Sequence, residues 1–256
     1  MPLSITSLNS GSNGNCYYVG NEHEAVLIDA GISCRETEKR MQRLGLSLQT
    51  VKAIFVSHEH SDHIRGIAGL AKKYQLPVYI TPRTLHQSGL PEQRFPIRPL
   101  RGYEPIWIGG LCVSAFPKLH DAADPHSFLI MYQGVTVGVF TDIGAPCQPL
   151  IDHFSQCHAA FLEANYDAQL LEDGRYPHFL KQRIRGGRGH LSNQQALDLF
   201  TAHKPAHMSH VLLSHLSKDN NCPQLLTDLF APHTRGIELV IASRFEETPV
   251  FTVTAA

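Results

Sequence analysis

His58-Glu59-His60-Ser61-Asp62-His63 follows the apolar run Ala53-Ile54-Phe55-Val56 and precedes Ile67, Leu70, Ala71 and Tyr74, which are spaced as one face of a helix. The hexapeptide therefore sits on a strand-to-helix turn, with four candidate metal ligands in six positions. His58 and His60 are separated by one residue, so in a turn leaving a strand both rings can point at one ion. Asp62 and His63 come where the helix begins and can face a second. Imidazole with carboxylate suits zinc, manganese or iron rather than calcium or magnesium. A nitrogen and oxygen donor set without cysteine reads as a catalytic site that keeps positions open, whereas structural zinc sites are closed and cysteine-rich. An isolated histidine in such a loop would read as a surface residue, but this density does not.

Outward from that turn, other candidate ligands repeat its placement. His120 lies in the loop after Val113–Phe116, Asp142 follows Val135–Phe140, and His215 follows Val211-Leu212-Leu213. In α/β architectures reactive groups gather beyond the carboxyl ends of strands, where loops converge on one crevice. Four separate segments obey that rule here.

The rest of the chain supplies the frame. Leu3–Leu8 reads as a strand, and Ala25–Ile28 as a buried strand ending at Asp29. Ser33 is placed to cap a helix, with Glu36 at the third helical position. Between Ile97 and Phe140 the pattern changes to short strands with glycine turns, including a tight hairpin at Gln133-Gly134. Ala159–Leu162 and His210–Leu213 read as strands, with helices from Ser192 and Pro223. No composition break or internal sequence repeat is visible, which predicts one α/β domain over residues 1–256. A net charge of −1 argues against a broadly basic coat but permits a local basic groove. Six cysteines without a C-x-x-C pair suggest thiols of a reducing compartment. With no leader-like start and no apolar run of spanning length, the expectation is a cytoplasmic protein with no membrane partner. The 16 histidines are unusually many, so their placement matters more than their number.

The H-x-H-x-D-H pattern of residues 58–63, with Asp29, His120, Asp142 and His215 in order, resembles the metallo-β-lactamase fold superfamily over essentially the whole chain. Ser10-Gly11-Ser12-Asn13-Gly14-Asn15, Glu163-Ala164-Asn165-Tyr166-Asp167 and Gly189-His190-Leu191-Ser192-Asn193 resemble its YycJ/WalJ-like branch, related to ribonuclease Z and phosphodiesterases. The resemblance implies a four-layer αββα sandwich of two mixed sheets flanked by helices. It implies two divalent ions, zinc or manganese with iron also possible. His58, His60 and His120 would hold one, Asp62, His63 and His215 the other, and Asp142 would bridge them. Asp29 would buttress the histidine loop.

Such paired ions activate a water for hydrolysis. Asp62 could orient that water or take its proton, and His190, just before a helix, is the candidate acid for the leaving group. Lys181, Arg183, Arg185 and Arg188 flank Gly186-Gly187 and suit phosphate contacts, though a solvated loop would look the same. Ser12 and Asn13 lie in a segment able to offer backbone N–H groups to an anion. Asn165 and Tyr166 would end a strand at the rim, and Lys218 could reach substrate or merely neighbour a helix cap. His126 could touch the site, and His210 reads as structural. The expected reaction is phosphodiester hydrolysis of nucleic acid. The branch resemblance favours DNA over RNA and attack at 5′ ends. A thioesterase or lactonase of the glyoxalase II type is the alternative, since it shares the hexapeptide. Diiron redox chemistry is disfavoured by His60, where such proteins carry glutamate, and a purely structural metal role by the lack of cysteine ligands.

Overall fold

The computed structural model describes residues 2–255, apart from the side chain of Glu92. Among these residues the strands form two seven-stranded sheets. The first contains β1 (Leu3–Asn9), β2 (Cys16–Gly20), β3 (Ala25–Ile28), β4 (Val51–Phe55), β5 (Val78–Ile80), β6 (Ile97–Pro99) and β14 (Phe251–Val253), in the order β14-β1-β2-β3-β4-β5-β6. The second contains β7 (Ile106–Ile108), β8 (Leu111–Pro117), β9 (His126–Tyr132), β10 (Val135–Phe140), β11 (Ala159–Glu163), β12 (His210–Ser214) and β13 (Glu238–Ile241), in the order β13-β12-β11-β10-β9-β8-β7.

Because the central strands are covered on both faces, they read as continuous apolar runs rather than alternating ones. Val26 and Ile28 of β3 face inward to meet Val137 and Val139 of β10 and Phe161 of β11 between the sheets. Leu27, with Ile54 and Val78, faces out against Met41 of α1 (Cys34–Arg43) and Ile67 and Leu70 of α3 (Ile67–Tyr74). On the far side, Leu162 and Leu213 pack against Phe154 of α5 (Gln148–Phe154), Phe200 of α8 (Asn193–His203) and Phe230 of α9 (Pro223–Phe230). Three apolar interfaces thus separate four layers, αββα, as the resemblance implies. Local signals behave as read. Ser33 accepts from the Glu36 amide at 3.2 Å, and Ser192 caps α8 in a full capping box with Gln195. Gln133 and Gly134 both take positive φ in the β9–β10 hairpin.

The two sheets echo one another, although no sequence repeat announces it. In each, three antiparallel pairings give way to three parallel ones, at β3 and at β10. A matching triplet follows each switch strand, Asp29-Ala30-Gly31 after β3 and Asp142-Ile143-Gly144 after β10, and both aspartates are left-handed, with φ of 60° and 55°. Both glycines admit a passing backbone. A Cβ on Gly31 would lie 1.6 Å from the Asp62 carbonyl oxygen, and one on Gly144 would lie 2.4 Å from the Arg188 Cα. The echo is therefore functional in placement, since each glycine lets a site loop approach its switch strand.

Arg40 of α1 ties the frame together. It is buried and donates to the carbonyls of Leu8 and Phe245 and to the Asn9 side chain, while its Nε pairs with Glu36. Truncating it would leave several acceptors unmatched, so Arg40→Ala should cost roughly 2–4 kcal/mol of stability in urea unfolding. Gly31→Ala should also lower the unfolding temperature and impair divalent-ion uptake in calorimetric titration, because the Asp62 backbone has to move. A Gly31→Ala protein with unaltered uptake would show that this close approach is dispensable.

Candidate metal centre

The site forms where the carboxyl ends of β3, β4, β10, β11 and β12 meet. Asp29 follows β3, His58 lies just beyond β4, Asp142 follows β10, Glu163 ends β11 and His215 follows β12. The short helix α2 (Ser61–Ile64) presents Asp62 and His63, and the loop between β8 and β9 delivers His120. Asp29, Asp142 and His215 all adopt left-handed backbone, with φ between 55° and 60°. This conformation costs a non-glycine residue about 1–3 kcal/mol and persists only where surrounding contacts enforce it.

Hydrogen bonds behind the rings fix their tautomers. Asp29 Oδ2 accepts from His63 Nδ1 at 2.7 Å. It also accepts from the Ser57 hydroxyl at 2.7 Å, and that proton is then unavailable to His58. Ser57 Oγ must therefore accept from His58 Nδ1, 2.9 Å away. The Gly189 carbonyl accepts from His120 Nδ1 at 3.0 Å, and Glu163 Oε1 accepts from His215 Nδ1 at 3.0 Å. Four imidazoles thus spend their Nδ1 protons outward and turn Nε2 inward.

Those inward nitrogens lie against carboxylate oxygens. His63 Nε2 lies 3.1 Å from Asp142 Oδ2 and 3.5 Å from Asp62 Oδ2, and His215 Nε2 is 3.6 Å from Asp62 Oδ2. His120 Nε2, His215 Nε2 and Asp142 Oδ2 are buried without a hydrogen-bond partner among the described residues. Leaving such atoms unmatched costs about 1–3 kcal/mol each unless a cation joins them. The donor set thus fits divalent ions.

The ligand atoms of His58, His60 and His120 lie within 4.8 Å of one another, as do those of Asp62, His63 and His215. Asp142 stands between the trios, with Oδ1 3.7 Å from both His120 Nε2 and His215 Nδ1. The electrostatics of the ion-free chain differ between them. Burial pushes His58 well below its ordinary pKa, and burial also brings His120 down to about 4. Burial acts the same way on His63 and His215, but there Asp142 and its fellow carboxylates win, holding His63 well above its ordinary value and His215 up at about 10. His58 and His120 are held neutral, while His63 and His215 keep protons shared with the acids.

Glu163 went unassigned in the sequence, although it ends an apolar strand just as the other candidates do. Fully buried, it accepts from His190 Nδ1 at 2.8 Å through Oε1, and from the amides of Ile143 and Leu191 through Oε2. Burial would raise its pKa, but His190 and His215 outweigh this and bring it to about 2. Asn15 was also unassigned, and its amide donates to Asp62 Oδ2 at 3.1 Å.

The ring nitrogens and acids open into a cleft of about 310 Å³ lined by Ser12, Asn165 and His190 together with Tyr176, Leu180 and Arg183. The basic stretch proves to be a helix, α7 (His178–Arg185), all of whose residues stay at least partly exposed. Its cations are largely engaged. Lys181 donates to the Glu172 carbonyl, Arg185 pairs with Glu172 at 3.0 Å and Arg183 pairs with Asp121. Arg188 donates to the His120 carbonyl at 3.2 Å. Of these four, Arg183 lines the cleft. Asn165 and Tyr166 lie past the end of β11 rather than in it. Asn165 donates to the His215 carbonyl at 2.6 Å, and Tyr166 bridges to Ser192. In the glycine-rich segment the amides of Gly11 and Gly14 are consumed by acceptors within the segment and that of Asn15 by the Asp62 carbonyl, and Asn13 donates to the Arg244 carbonyl. Lys218 lines an adjoining recess. His126 begins β9 and donates to the Asp124 carbonyl, and His210 lies in β12.

Comparison with known proteins agrees with this geometry. Residues 10–139 match the metallo-beta-lactamase superfamily profile. The exodeoxyribonuclease YycJ of Bacillus anthracis is 33% identical over 233 residues, covering 88% of this chain and 86% of that protein. The exodeoxyribonuclease WalJ of Streptococcus pneumoniae is 28% identical over 225 residues, covering 85% and 83%. The crystal structure of the metallo-beta-lactamase fold protein YhfI of Bacillus subtilis superposes with a TM-score of 0.75 at 16% identity, over 98% of this chain and 100% of that one, a likeness of fold. The chain belongs to the metallo-beta-lactamase superfamily and is a metal-dependent hydrolase.

Proposed function

We propose that this hydrolase cleaves phosphodiesters of nucleic acid, DNA in preference to RNA, from 5′ ends, with two zinc or manganese ions per chain and residues 1–256 acting as one catalytic unit. The observation that carries the reading is the set of inward Nε2 atoms gathered against Asp142 and Asp62 in an open cleft. Support for nucleic acid comes from the two exodeoxyribonucleases, matched over most of the chain. In this reading His58, His60 and His120 hold one ion, and Asp62, His63 and His215 the other, with Asp142 between them. A cytoplasmic setting fits six free thiols, and no described helix is long and apolar enough to cross a membrane.

When bound, the ions supply Lewis acidity that makes water acidic near neutral pH and offsets charge growing on the phosphate. The side chains do the rest. Asp62, held by the Asn15 amide, orients the attacking water by accepting its hydrogen bond. Glu163 fixes His190 through Nδ1, which leaves Nε2 to give a proton to the leaving oxygen. Arg183 faces the phosphate from α7, and the apolar Leu180 and Ile184 on the same wall limit water around it.

Chelation should abolish turnover, and manganese or zinc should restore it, on 5′-labelled single- and double-stranded DNA. RNA, a thioester and a lactone tested in parallel should be poorer substrates, and turnover of the thioester alone would overturn the reading. His190→Ala should retain its metal content by atomic emission while kcat drops about 10²–10⁴-fold. Unchanged turnover would remove His190 from the mechanism.

A further inference from the structure

Beside the cleft lies a second recess of about 530 Å³, floored by Pro223, Ile241 and Ala242 and flanked by Lys218, Arg244 and Phe245. It adjoins the metal cleft, because Ser217 lines both and Arg244 Nη2 lies 3.4 Å from the hydroxyl of Ser12 on the cleft wall. Phe245 is 75% exposed, yet its backbone is hydrogen-bonded at both its carbonyl and its amide. Buried Arg40 donates to its carbonyl at 2.9 Å, and the Ser243 hydroxyl accepts from its amide at 3.0 Å. Asn13 donates to the Arg244 carbonyl at 2.7 Å, and the Ser10 amide to that of Ser243 at 3.1 Å. An aromatic ring left in water on a pinned backbone suits a flat partner. The Arg244 guanidinium sits 5.9 Å from that ring, and its Nη1 is buried without an acceptor among the described residues. Two cations against one acid, Glu246, give the recess a positive balance.

We propose that this recess is a nucleotide subsite of the same active site: a base of the substrate strand stacks on Phe245 while Arg244 and Lys218 take the adjoining phosphates. The assignment rests on the nucleic-acid reading above. Aromatic stacking accepts any base, so the subsite lengthens the grip on the strand without choosing sequence. Cations at its edge add a salt-dependent contribution.

The test compares metal-loaded wild type with Phe245→Ala, Phe245→Trp and Arg244→Gln on single-stranded oligonucleotides and on bis(p-nitrophenyl) phosphate, which is too small to span both sites. Phe245→Ala should raise KM for oligonucleotides about ten-fold with kcat little changed. Phe245→Trp should restore KM, and all variants should hydrolyse the small diester like wild type. Arg244→Gln should reduce the slope of log KM against log salt by about 0.7, the value for one single-strand phosphate contact. Wild-type cleavage of oligonucleotides with an unaltered KM in Phe245→Ala overturns the subsite alone. Hydrolysis of the small diester without cleavage of any oligonucleotide overturns the nucleic-acid reading and the subsite with it.

Discussion

Buried imidazole nitrogens set against carboxylate oxygens are the constraint around which this molecule is organised. Asp29, Ser57, Gly189 and Glu163 each bind an Nδ1 of the cluster from behind, so the Nε2 atoms of four rings have nowhere to point but inward. There those of His63 and His215 meet Asp142 and Asp62 at distances that a positive charge between them, a proton or a shared cation, makes favourable. In the absence of ions the acids keep protons on His63 and His215, while burial strips them from His58 and His120. The chain therefore holds its charge pattern before any ligand arrives. Preorganisation of this kind costs the folded state stability that its hydrophobic layers must offset.

The layers are suited to that burden. Each sheet changes from antiparallel to parallel pairing at the strand followed by Asp-x-Gly, which leaves the aspartate left-handed and the glycine free for a neighbouring loop to pass. Rigid strands on both sides of the change hold the strained residues. The cleft rim is built from less supported elements, above all α7, whose residues all remain partly exposed. Precision is thus greatest where the ligand atoms gather and adaptability greatest at the rim.

Much of this was legible in the chain. Residues 58–63 lie on the strand-to-helix turn read for them, and the strand ends before Asp142 and His215 fall where apolar runs stop. Ser33, Ser192 and Gln133-Gly134 are local signals whose meaning depends on neighbouring residues, and each holds. The misreadings have a common origin. Strand β2 passed unread because it is buried on both faces and follows a glycine-rich segment, so it shows no alternation. Helix α7 passed unread as a helix because its apolar residues Phe179, Leu180 and Ile184 are interleaved with cations on a short segment with no buried residue.

The sequence by itself determined which residues could ligate ions and where along the chain they would emerge, because ligand chemistry and strand ends are local properties. Tertiary structure alone decided which nitrogen of each ring faces inward, since that depends on acceptors far away in sequence, such as Asp29 for His63 and Gly189 for His120. It also decided which cations remain available. Arg183, Arg185 and Arg188 look equivalent in the chain, and they differ because Asp121, Glu172 and the His120 carbonyl happen to lie within reach of each. Electrostatic partnership is a matter of distance in space, and no reading of spacing along one chain supplies it.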